Sequence, residues 1–169
     1  MVEDEKRRRT TLTRSGKINF MNLDEIRLEP VTEANWRECA ALTVHPEQKQ
    51  FVADVTYYLC MCNYGDLWKP YAVTRDGKVV AFAIWAVDDD ASRWIGGVVV
   101  DAEHQRQGIG RELVRQLRDR LIAVPGTPNV ALSYQPENTA ARDLYLSLGF
   151  VETGETDGDE VVARWTPGD

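Results

Sequence analysis

The chain has 169 residues, 43% of them hydrophobic, and a formal net charge of −7. That is enough apolar material for one domain with a sizeable core and excludes wholesale disorder, while no apolar run approaches the roughly 20 residues that span a bilayer. Residues 1–20 hold six Lys/Arg against three acids, net +3, which leaves −10 for residues 21–169; so acidic a body disfavours polyanions and lacks the basic, aromatic-studded surface of a nucleic-acid binder.

Residues 1–22 read as a flexible basic leader carrying Arg7-Arg8-Arg9, without the apolar stretch of a secretory signal, and Met21 offers an internal start. Residues 23–169 read as one domain without repeats. A short strand is expected over 25–29, where Ile26 and Leu28 alternate. Thr32 then caps a helix to about Leu42, and Pro46 opens a second helix over 47–62 with Phe51, Val55, Tyr58, Leu59 and Cys62 at helical spacing. Strands over 70–74 and 79–87 flank Asp76-Gly77, a hairpin signal. Asp88-Asp89-Asp90 is a loop before the apolar run WIGGVVVD at 94–101. Ile109, Leu113, Val114, Leu117, Leu121 and Ile122 form the apolar stripe of an arginine-rich helix. A strand over 129–135, a helix from Asn138 to the cap Gly149, and a hairpin of 150–155 with 160–165 complete the order β-α-α-β-β-β-α-β-α-β-β. Cys39, Cys60 and Cys62, with only His45 and His104, show no metal-ligand spacing, so no metal is expected; reduced packing thiols in a cytoplasmic protein are the simplest expectation.

Two segments carry chemistry. In Gln105-Arg106-Gln107-Gly108-Ile109-Gly110 the glycines sit where a loop becomes a helix. Backbone N–H groups there lack intrahelical partners and face the positive end of the dipole, a natural seat for phosphate. A dinucleotide loop would want glycine where Leu113 stands, and the Gly-Lys-Ser/Thr of a nucleotide P-loop is absent. Downstream, Asn138, Ala141, Tyr145 and Leu148 share one helix face. Taken singly, a tight turn, a helix-capping Asn138 and a core Tyr145 with a wet tip would account for these residues.

Together, in this order, Gln-x-x-Gly-x-Gly after an apolar strand and Asn-x-x-Ala-x-x-x-Tyr-x-x-x-Gly-Phe resemble the GNAT family of N-acetyltransferases. The resemblance implies an α/β (α+β) fold in one domain over 23–169, with a mixed, mostly antiparallel sheet of about seven strands flanked by helices. It also implies that the 94–101 and 129–135 strands splay apart to admit the pantetheine arm of acetyl-CoA. Cofactor contacts would then fall on Val98, Val99, Val100, Gln105, Arg106, Gln107, Gly108, Ile109, Gly110, Arg111, Asn138 and Tyr145. Val98 and Val100 would act through their backbones, the N–H near Val98 would hold the oxyanion, Gly96-Gly97 would mark a bulge, and Tyr145 would be the general acid. Many members carry a glutamate on the splayed strand, but Ile95-Gly96-Gly97 offers no side-chain base; Asp88, Asp89, Glu47 or a water relay remain open, and none is singled out.

The stretches from Leu132 to Asn138 and Gly149 to Glu155, with those around Asn35–Cys39 and Glu47–Ala53, are similar to the bacterial diamine and spermine/spermidine branch. A small cationic amine is the acceptor this implies, with Glu47, Asp88, Asp89, Asp90, Glu152 and Glu155 as a cation-accepting rim. A protein amino group, an aminoglycoside, or a non-catalytic acyl-CoA-binding module are the alternatives. Nucleic acid and membrane partners are not expected, and the sequence is silent on oligomeric state, although homodimers are frequent in the family.

Overall fold

The computed structural model describes residues 9–12, 18–21 and 26–168 of the chain. β1 (Arg9–Leu12) and β2 (Ile18–Met21) pair antiparallel as a ribbon separate from the main sheet. The flexibility expected of the leader otherwise concerns residues outside the described ones.

Seven strands make the main sheet: β3 (Arg27–Pro30), β4 (Lys69–Arg75), β5 (Lys78–Val87), β6 (Arg93–Val100), β7 (Val130–Tyr134), β8 (Val151–Asp157) and β9 (Glu160–Trp165). Their order is β3-β4-β5-β6-β7-β9-β8, and the β6–β7 neighbours alone run parallel. Asp76 and Gly77 both take positive φ (53° and 75°) at the β4–β5 turn, the geometry an Asp-Gly hairpin favours.

Helices cover both faces. α1 (Trp36–Ala40) and α2 (Val55–Tyr64) lie over a cluster of Cys39, Val55, Ala72, Phe82, Ile84 and Val99. α3 (Ile109–Ile122) and α4 (Thr139–Ser147) cover the other face, where Ile109, Leu113, Val114, Leu117 and Leu121 of α3 are buried as their spacing predicts. Burying each such side chain contributes about 1.5–3 kcal/mol before entropy is counted. β5 sits between the two layers, so Ala81, Phe82, Ala83 and Ile84 are all buried, a continuous apolar run rather than an alternating one.

The two N-terminal helices depart from expectation. α1 starts at Trp36 rather than Thr32, because Asn35 folds back to accept the Thr32 N–H (2.8 Å) and forms a turn first. The helix expected over 47–62 is a single 3-10 turn, Pro46–Gln48, then a loop, then α2. Tertiary contacts hold the break: the Gln48 and Gln105 amides bond each other reciprocally (3.0 and 2.7 Å), and Tyr58 Oη accepts the Ala53 N–H (3.2 Å).

Candidate functional site

The sheet splits at its parallel junction. β6 and β7 pair only at Arg93↔Val130, Trp94↔Ala131 and Ile95↔Leu132; beyond Ile95 they part. A bulge at Gly97-Val98 shifts the β5–β6 register, with Gly97 at φ 54°. Past the bulge the Asp101 N–H donates to Val80 O of β5 (3.0 Å) and Val99 pairs with Phe82. By alternation, the backbone groups of Val98 and Val100 turn to the opposite side, into the split. The Gln105 side chain donates to Val100 O (3.1 Å), as that orientation requires. Val99, the middle residue of the expected 98–100 run, pairs its backbone with β5 and buries its side chain in the cluster under α2.

A cleft of about 670 Å³ runs through this split and is lined by Val98, Val100, Gly108, Gly110, Asn138 and Tyr145 among others. On the α3 side it begins at the glycine loop. Gly108, at φ 83°, is the N-cap of α3, and Arg106 also takes a left-handed φ of 58°. A side chain with Cβ is strained at such φ, which accounts for the glycine. The first intrahelical bond is Glu112 N–H to Gly108 O (3.0 Å), so the amides of Ile109, Gly110 and Arg111 point out of the helix end. A Cβ on Gly110 would sit in ordinary contact with Val100 and Leu144, so its small size keeps the approach open rather than relieving a clash.

Of the expected site residues, Gln105, Arg106, Ile109 and Arg111 also line the cleft, but Gln107 does not. The Gln107 amide instead accepts from Arg75 (2.8 Å) and donates to Glu103 O (3.2 Å), fastening the loop to the end of β4. The Gln105 side chain is likewise engaged within the protein, as above. Arg111 is held by Ser147, through Oγ (2.6 Å) and the carbonyl (3.2 Å), which ties the start of α3 to the end of α4.

Asn138 caps α4, accepting the Ala141 N–H (3.2 Å), while still lining the cleft. The other end of α4 is closed by Gly149, whose N–H reaches Leu146 O (3.0 Å) while the Phe150 N–H reaches Tyr145 O (3.2 Å). That double bond fixes Tyr145 in the last turn. Its ring is wedged between Tyr134 (centroids 5.6 Å apart) and Phe150 (6.2 Å), and its hydroxyl has no hydrogen-bond partner among the described residues. Burial first, then the charge of Glu160 and the neighbouring Tyr134 and Tyr58, push the Tyr145 phenol well above its ordinary value, so it stays protonated at neutral pH. Tyr134 is pushed up to about 12, by burial and by Glu152, which accepts its O–H (2.8 Å).

The acids expected to rim the site are not gathered there. Glu152 is paired with Arg142 (2.6 Å) and Tyr134, Asp90 accepts from Ser92, and Asp88 and Glu155 line a second groove, with Glu155 held by Arg164 (2.8 Å). The carboxylates on the cleft are Asp157 and Glu160, which the sequence reading passed over. Glu160 opens β9 and accepts a hydrogen bond from Ser133 Oγ of β7 (2.5 Å). A polar Ser133 inside an otherwise apolar strand was the one available signal. Cys39 and Cys62 are pushed up to about 11 by burial, so neither offers a ready thiolate. Among the described residues no group of three or more His, Cys, Asp or Glu could hold a metal ion, and no helix is long and apolar enough to cross a membrane.

The acetyltransferase (GNAT) family model matches residues 27–150. The chain is 35% identical over 108 residues to the ribosomal protein bS18-alanine N-acetyltransferase of Escherichia coli strain K12, covering 64% of this chain and 72% of the relative. It is 26% identical over 153 residues to the spermine/spermidine N(1)-acetyltransferase of Bacillus subtilis strain 168, covering 82% of this chain and 97% of the relative. Among solved structures it resembles the aminoglycoside acetyltransferase AAC(6′)-Ib, determined with acetyl-CoA, at a TM-score of 0.70 and 22% identity over 85% of this chain and 94% of that one.

Proposed function

Because the chain belongs to the acetyltransferase (GNAT) family and is an acetyl-CoA-dependent N-acetyltransferase, we propose that it acetylates a primary amine of a small polyamine or diamine. The cofactor's diphosphate rests on the amides of Ile109, Gly110 and Arg111, beside the Arg106 and Arg111 side chains. Its pantetheine arm enters the split as a pseudo-strand against Val98 and Val100, whose backbone groups otherwise face no strand. The thioester then lies beside Tyr145, and Asn138 closes that wall. The open split between β6 and β7, with the glycine loop at one end and Tyr145 at its side, is the observation that carries this placement.

A primary ammonium with a pKa near ~10.4 must shed a proton before it attacks the thioester carbonyl. Attack forms the C–N bond and an oxyanion, which the Val98 N–H receives. Collapse breaks the C–S bond, and Tyr145 protonates the departing thiolate. The similarity to a spermine/spermidine acetyltransferase over nearly its whole length supports a polyamine, as do the cleft-facing acids Asp157 and Glu160 beside Trp68 and Trp94. The higher local identity to an enzyme acting on a protein's alanine supports a second reading, a protein N-terminal amine. The same chemistry fits a cytoplasmic setting, where acetyl-CoA is supplied and thiols stay reduced.

Thiol release from acetyl-CoA, measured against spermine, spermidine, putrescine, an alanine-terminated peptide and an aminoglycoside, separates these readings. Turnover is expected with the polyamines. Turnover confined to the peptide would move the assignment to a protein acceptor, and cofactor binding without turnover on any amine would overturn the catalytic reading.

A further inference from the structure

The strand that usually carries a base cannot do so in this protein. A Cβ on Gly96 would lie 3.2 Å from the Trp68 ring, and one on Gly97 would lie 3.3 Å from Tyr58 and Ile84 at a positive φ. Either position is tight for any side chain, and neither carries a carboxylate. Asp88 lines only the second groove, and Asp89 and Glu47 line neither. Of the two carboxylates on the cleft, Asp157 is exposed, whereas Glu160 is half-buried and held by Ser133 Oγ at 2.5 Å.

We infer that Glu160 is the catalytic base: it receives the acceptor ammonium at the mouth of the split, takes one proton from it, and is aimed by the Ser133 hydroxyl. This rests on the acetyl-transfer reading of the same cleft. Ser133 pairs with Val162 across β7–β9, so Ser133 and Glu160 project from one face of the sheet while Tyr134 and Val161 project from the other. Tyr145 packs against Tyr134 on that second face. Acid and base therefore meet from opposite faces across the gap between β6 and β7, with the thioester between them. Glu160, Tyr145 and Tyr58 all line the same cleft.

The protons balance. One passes from the ammonium to Glu160 and on to solvent; the free amine attacks; the C–S bond breaks as Tyr145 protonates the departing thiolate; Tyr145 recovers its proton from the N-protonated amide, giving amide and free thiol. The groups around Glu160 are Ser133, which donates to it from β7, Asp157, paired with it across the β8–β9 hairpin, and Tyr145 of α4 and Tyr58 of α2, which line the same cleft.

The test is kcat/KM against pH for the full chain with the best amine of the panel, in parallel with acetyl-CoA calorimetry. Glu160→Gln should lower kcat/KM by about 10²–10⁴-fold near pH 7, with a deficit that shrinks as pH rises toward the ~10.4 of the amine itself because a free amine needs no base, and with acetyl-CoA affinity within about twofold. Ser133→Ala should lower kcat and Ser133→Thr should restore it, a pattern that carries the test if Glu160→Gln does not fold. A variant at Glu160 within about threefold of the parent near pH 7, or one that is slower by the same factor at every pH, overturns the assignment. An unaltered protein inert toward every amine would instead sink the acetyl-transfer reading beneath it.

Discussion

Tyr145 joins two properties that sequence spacing alone cannot tell apart, packing in the core and lining the cleft. Its ring is core, packed on Tyr134 and Phe150, yet its hydroxyl makes no hydrogen bond among the described residues. Removing that oxygen therefore breaks no contact of the folded state. Tyr145→Phe is expected to keep the melting temperature and the acetyl-CoA Kd while kcat falls by about 10²-fold. Calorimetry, melting and thiol release on one preparation check all three, and an unchanged kcat would show that the hydroxyl is not the acid. Tyr145 was legible because its chemistry depends on one helix face. Glu160 was not, because a hairpin brings it to a serine 27 positions earlier in the chain.

At the scale of elements, α3 does two jobs with two faces. Its apolar stripe anchors it to the sheet, and its N-terminus presents the free amides, so whatever stabilises its first turn also holds the anion seat. Glu112 sits in that turn and accepts from Arg115 (2.9 Å through Nε) and Gln116 (2.8 Å). Burial alone would raise its carboxyl, but these hydrogen bonds outweigh burial and hold it below its ordinary 4.5. A pKa lowered in the folded state means stability that is present above the unfolded value and is lost as pH falls through the folded one. Glu112→Gln should thus cost about 0.5–1 kcal/mol at pH 7, or about 1–4 °C in Tm, with the gap closing well below pH 4.5; paired melts at pH 7 and pH 3 check this. α3 was readable in the sequence because its stripe is regular. The helix expected over 47–62 was misread because Gln48 and Ala53 bond to Gln105 and Tyr58 instead of continuing a helix.

At the scale of the whole molecule, the sheet is two halves, β3 to β6 and β7 to β8, joined through three residue pairs. A cofactor that enters between them adds the missing strand and couples the halves. Hydrogen exchange should then show the Val98 and Val100 amides exchanging fast in the free protein and at least tenfold slower with saturating acetyl-CoA. The Val99 amide, already committed to β5, should be slow in both. Slowing confined to residues away from 96–100 would remove the pseudo-strand.

The sequence by itself determined the order of the elements of the main domain, the glycine turn that opens α3 at Gly108, and the helix that carries Asn138 and Tyr145, because each depends on backbone geometry or periodicity within a few neighbouring residues. The tertiary structure alone decided which of the three valines turn their backbones to the split, that Gln105 and Gln107 bond within the loop's own framework, and which carboxylates line the cleft. Those outcomes depend on strand register and on pairings between distant segments, which local patterns do not encode.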